Sequence, residues 1–115
     1  SRMVKAEKKL RKYTPWSPEW MEQLHTIRKR AKALRYTAES AAPLNRRALD
    51  RPGAEAKKVQ TYLGDFNDTV VNRRRLTEIA TDPSLSPEAV FVLGRIDAHE
   101  ESRGRRAVKK YRRAR

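Results

Sequence analysis

Apolar residues recur along this chain with the period of amphipathic helices and nowhere with the two-residue alternation of strands. From Arg2 to Tyr13 they fall at Met3, Ala6, Leu10 and Tyr13, on one side of a first helix that ends before Thr14-Pro15. Ser17 then caps a second helix with Pro18 at its first position, where the missing proline N–H leaves no helical bond unmade. Its stripe is Leu24, Ile27, Ala31, Leu34 and Ala38, and Pro43 stops it near Ala42. Leu44 to Gly53 reads as a connection. A third helix follows to about Ala80, with Val59, Leu63, Phe66 and Val70 at steps of four, three and four. Gly64 costs that helix about 1 kcal/mol relative to alanine, which predicts another backbone packed against it. Ser86-Pro87-Glu88 combines a cap, a first-turn proline and a first-turn acid, and opens a fourth helix. Helices over about 2–13, 17–42, 54–80 and 87–112, joined by short connections, predict one domain, an all-α antiparallel four-helix bundle.

With 115 residues there is room for one modest core, and hydrophobic and charged residues each make up 37% of the chain. The charge is lopsided: 28 Lys and Arg against 14 Asp and Glu leave +14. Such a surplus repels itself in a compact fold and is relieved by a polyanionic partner: nucleic acid, an acidic surface or a phosphate polymer. The absence of cysteine removes disulfides, thiolate chemistry and the common structural zinc sites, and it suits a reducing, cytoplasmic setting. No apolar run approaches the length of a membrane span, so no membrane role is expected. The opening Ser1-Arg2-Met3-Val4 enters a charged helical pattern with no cap, as expected of a fragment or of a non-native residue at Ser1.

The basic residues are themselves periodic. Arg2, Lys5, Lys9 and Lys12 follow helical steps beside the first apolar stripe, and His25, Arg28, Lys32 and Arg35 repeat that spacing in the second helix, with Lys29 at the edge. The second set makes a strip about 15 Å long. Between His25 and Arg35 there is no acid, although solvated faces ordinarily mix signs through i,i+4 pairs. Like charges at that spacing oppose helix formation, so a bound anion relieves a standing cost. His25 shares the strip, where a neutral imidazole donates to a phosphate oxygen and a protonated one adds charge. Arg103, Arg106, Lys110 and Arg113 extend the pattern into a tail so basic that almost any spacing can be drawn through it.

Other polar clusters point less far. His99 lies among Asp97, Glu100 and Glu101, but one histidine without a second cluster is a poor metal set, and no metal is expected. Asp65, Asn67 and Asp68 sit mid-helix, where short polar side chains are disfavoured unless partnered; Asp68 is expected to brace a basic side chain of a neighbouring helix. Trp16 and Trp20 flank the start of the second helix and read as core or staple residues. No phosphate-cradling glycine loop, nucleophile with its base, or paired carboxylate site is present, so no catalysis is expected.

The run LHTIRKRAKALRYTAE, Leu24 to Glu39, resembles the signature of the CHAD family, named for a conserved histidine α-helical domain. The likeness extends to VQTYLGDFNDTVVNRRRL, Val59 to Leu76, where Leu63-Gly64 and Asn67-Asp68 match the family's LG and ND positions; Gly94 and the tail ending near Tyr111 fit more loosely. The resemblance implies a helical domain that binds inorganic polyphosphate through basic side chains, with an association with polyphosphate granules. By position the implied ligands are His25, Arg28, Lys32 and Arg35, then Lys58 and the tail set Arg103, Arg106 and Lys110; Lys29, Lys5 and Lys9 join them from the strips above. Family members usually carry two four-helix repeats. The RYTAE ending resembles that of the second, so a first repeat or a second copy of this chain is implied to complete the binding face.

Two alternatives stay open. Charge alone supports nucleic-acid binding equally well, though only Tyr36 supplies an aromatic ring near the strip. A helical module for an acidic protein partner would show an exposed apolar patch beside the basic strip.

Overall fold

The computed structural model describes residues 2–114, so the expectation at Ser1 and the last arginine of the tail lie outside the described residues. Four helices follow one another: α1 (Arg2–Leu10), α2 (Pro18–Ala41), α3 (Arg46–Ala80) and α4 (Pro87–Ala114). Each packs on its neighbours in the sequence. The all-α antiparallel bundle is thus the one that the periodicity predicts. Met3, Leu10, Leu24, Ile27, Leu63 and Val108 fill its core, and Tyr111, fully buried, closes the ring of helices by donating its hydroxyl to Glu7 Oε2 at 2.6 Å.

Two helix ends differ from the sequence expectation. Instead of reaching Tyr13, α1 stops at Leu10, where the next three N–H groups bond three residues back, to Lys8, Lys9 and Leu10 carbonyls. That tighter winding turns the chain toward Ser17, whose hydroxyl accepts the Trp20 N–H at 3.2 Å. Between them Trp16 takes a left-handed backbone, φ 70°, at a cost of about 1 kcal/mol or more. Its ring packs 4.9 Å from Trp20 and 5.7 Å from Phe66, so Trp20 is core and Trp16 its half-exposed lid.

At the other end, α3 starts at Arg46, not near residue 54, and runs through Pro52 and Gly53. Asn45 supplies a cap by accepting the Ala48 N–H at 3.2 Å. Packing then outweighs the proline: Ala56 is fully buried, and a β-carbon on Gly53 would stand 3.1 Å from that of Ala38 in α2. A second correction concerns Gly64, predicted to meet a neighbouring backbone. A β-carbon there meets nothing within 4 Å, whereas one on Gly104 would stand 2.8 Å from Thr69 Oγ1. The intimate helix contact belongs to α3 and α4, at a position the periodicity did not mark.

Candidate polyanion-binding site

The basic strips face three separate grooves between successive helices. In the widest, about 560 Å³, Arg2, Lys5 and Lys9 of α1 look across at Gln23, Thr26 and Arg30 of α2. The two helices are locked together beneath it by Gln23, buried, whose Nε2 donates to the Ala6 carbonyl at 2.9 Å. No acid lines this groove, and among the described residues none of its four cations makes an ion pair. Arg2 to Lys9 extends about 10 Å along α1, and Gln23 to Arg30 covers the same length of α2.

On the other flank of α2, His25 and Arg28 border a smaller cavity of about 210 Å³ with Glu22 and Asn67. Arg28 and Arg30 lie two residues apart, about 200° around the helix, so one anion cannot straddle both directly. Further along this flank the charges are already engaged. Arg35 donates to Glu39 at 2.8 Å and to Gln60 at 3.0 Å, and Lys32 Nζ sits 5.7 Å from the centre of the Tyr36 ring. The stretch is acid-free in sequence, but Glu39, one turn beyond it, neutralises its last arginine. Lys29 is exposed outside both cavities.

Between α3 and α4, Arg103, Arg106 and Lys110 surround a cavity of about 370 Å³ opposite Asp65. Arg103 is tied to Glu100 at 2.9 Å, while Arg106 and Lys110 make no ion pair among the described residues. Lys58 is exposed on α3 seven residues before Asp65, on the same face but outside the cavity. Among the described residues Asp68 makes no ion pair, against the expectation that it braces a neighbouring helix. That task falls to Asp97, which accepts from Arg73 Nε at 2.9 Å and Nη2 at 3.2 Å across the α3–α4 seam. The Arg73 hydrogen bonds hold the Asp97 carboxyl below its usual range. Burial pushes Glu100 up, but hydrogen bonds from Asn72 and Arg103 and the nearby positive charges outweigh it and leave this carboxyl lowered too. His99 is exposed, and among the described residues no three His, Cys, Asp or Glu are grouped to hold a metal ion.

Comparison with known proteins matches residues 1–77 to the CHAD domain. The chain belongs to the CHAD family. Its matched segment contains α1, α2 and most of α3, hence both flanks of α2 and the whole Arg2–Arg30 groove. Two uncharacterized proteins of Mycobacterium tuberculosis, from strains CDC 1551 / Oshkosh and ATCC 25618 / H37Rv, are each 44% identical to this CHAD chain over 73 residues. The aligned part is 64% of the chain and 13% of either relative. No solved structure matches. CHAD domains are associated with polyphosphate binding and are generally non-catalytic, and no helix among the described residues is long and apolar enough to cross a membrane.

Arg30 was not singled out in the sequence, because it falls off the His25–Arg35 spacing. Its signal was the 23, 26, 30 spacing of Gln23, Thr26 and Arg30, which a search for cations alone passes over.

Proposed function

We propose that this chain binds inorganic polyphosphate without catalysis, and that the α1–α2 groove is its principal contact. The observation that carries this reading is the set Arg2, Lys5, Lys9 and Arg30, four cations on facing helices around one cavity with no acid among its lining. Arg2, Lys5 and Lys9 stand at like-charge helical spacings that cost a few tenths of a kcal/mol each while unneutralised. A flexible phosphate strand lying along the groove meets cations from both sides. The groove offers no aromatic ring for stacking, as a single-stranded nucleic acid would favour. His25, Arg28 and Lys32 on the opposite flank, and Arg106 and Lys110 beyond α3, then serve a long polymer as it wraps the bundle.

The test is fluorescence anisotropy with labelled long-chain polyphosphate at several salt concentrations. Replacing Lys5, Lys9 and Arg30 together with alanine is expected to weaken binding and to lower the salt slope by roughly 2, at about 0.7–0.9 per lost phosphate contact. The matching triple at Arg28, Lys29 and Lys32 is expected to do less. Duplex DNA, single-stranded RNA and heparin then compete at equal charge. Displacement by either nucleic acid would overturn the polyphosphate reading, and an unchanged slope in the first triple variant would remove the groove from it.

A further inference from the structure

A further cavity, of about 360 Å³, opens where the loop between α1 and α2 meets the α3–α4 seam. Phe66, Thr69, Val70 and Arg73 line it from α3, at the i, i+3, i+4 and i+7 positions of one helix face. Glu101, Gly104 and Arg105 line it from α4 at i, i+3 and i+4, and Met21 and Trp16 complete the wall. The Thr69 hydroxyl is engaged with the Phe66 carbonyl at 2.6 Å, so the inner wall is effectively apolar and the charges stand at its rim. None of the cations of the polyphosphate reading lines this cavity, and its α4 side lies beyond residue 77, where the family match ends.

The aromatic part of the wall is held out at a cost. Trp16 adopts the left-handed backbone, φ 70°, that a bulky side chain rarely takes, and its ring stays 45% exposed beside a buried Trp20. It stands 5.7 Å from Phe66 with the two ring planes at 64°. Two crossed rings in one wall suit a third ring, because aromatic rings gain from edge-to-face and offset contacts alike.

The rim is short of acceptors. Arg73 binds both oxygens of Asp97, at 2.9 and 3.2 Å, and reaches Glu101 at 3.7 Å, while Arg105 donates to the other Glu101 oxygen at 2.8 Å. All four carboxylate oxygens thus face a guanidinium. Nη1 of Arg73 and both Nε and Nη1 of Arg105 have no protein acceptor among the described residues, so the hydrogen bonds left to be made at this rim are donors seeking an anion.

We infer that this cavity binds a small flat aromatic anion, its ring against Trp16 and Phe66 and its charged group on the free guanidinium nitrogens of Arg73 and Arg105. A cavity of about 150 Å³ takes benzene, so this one has room for about two fused rings. A cation meets two arginines there, and a phosphate polymer has no apolar part to fill the space. The net charge of +14 draws small anions toward the surface, and the apolar wall selects among them.

Naphthoate is the probe, followed by isothermal titration calorimetry and by the indole N–H signals of the two tryptophans. One-to-one binding is expected with a dissociation constant of roughly 0.1–1 mM, and the Trp16 signal is expected to move with the same midpoint. Naphthalenemethanol, with the same rings and no charge, is expected to bind about tenfold more weakly. Arg105→Gln is expected to weaken naphthoate about tenfold and to leave the alcohol unchanged, whereas Trp16→Ala is expected to weaken both with helicity retained. No movement of the Trp16 signal up to several times the expected constant overturns the inference. So does an alcohol bound as tightly as the acid, or naphthoate binding indifferent to Arg105→Gln.

Discussion

Two helical glycines, Gly64 and Gly104, are expected to respond oppositely to the same substitution. Each costs its helix about 1 kcal/mol relative to alanine, so on helix preference alone both changes stabilise. At Gly64 nothing lies within 4 Å of an added β-carbon, and Gly64→Ala is expected to gain about 0.5–1 kcal/mol, a rise in Tm of roughly 2–6 °C. At Gly104 the new methyl would stand 2.8 Å from Thr69 Oγ1. Thr69 is only 2% exposed, and its hydroxyl donates to the Phe66 carbonyl at 2.6 Å, so the oxygen cannot swing aside without losing that bond. Overpacking of this kind costs about 1–3 kcal/mol, and a broken hydrogen bond adds about 1 kcal/mol more. Gly104→Ala is therefore expected to destabilise by about 1–3 kcal/mol net of the helix gain, with Tm lower by several degrees. Thermal and urea melts followed by circular dichroism measure both. Thr69→Ala in the Gly104→Ala background is expected to return part of the loss, a coupling absent when Thr69→Ala is combined with Gly64→Ala. A Gly104→Ala variant as stable as Gly64→Ala would refute the account of the α3–α4 contact.

Two further outcomes follow from the hydrogen bonds. The Asp97 carboxyl is held below its usual range by Arg73, so its contribution is complete above about pH 4 and is lost as pH falls through its lowered value in the folded state. Acid unfolding of Asp97→Asn is expected to show a shallower loss of stability there, and identical acid limbs in urea melts would refute the pairing's role. Tyr111→Phe removes the hydroxyl that reaches Glu7 and is expected to cost about 1–2 kcal/mol. Hydrogen exchange is expected to quicken most in α1, and a uniform change along the chain would argue against a local anchor.

Periodicity alone determined most of the fold. Apolar stripes at helical spacing leave one way to bury Leu24, Ile27, Leu63 and Phe66 together, and Ser17 with Pro18 and Ser86 with Pro87 mark two helix starts through chemistry local to the chain. The start of α3 was not local: Pro52 and Gly53 argue for a loop by themselves, and only packing on Ala38 makes helix the better state there. Gly64 and Gly104 look alike in sequence, since what occupies the space beside a glycine is contributed by another helix. The candidate site divides in the same way. Spacing identified which residues are cationic and which share a face, because a helix fixes the angles between its own side chains. It could not assign those faces to the same or different grooves, show that Glu39 and Gln60 engage Arg35, or bring Arg30 opposite Lys5 and Lys9. Those relations depend on how separate helices are set against one another, and that is decided by the tertiary packing.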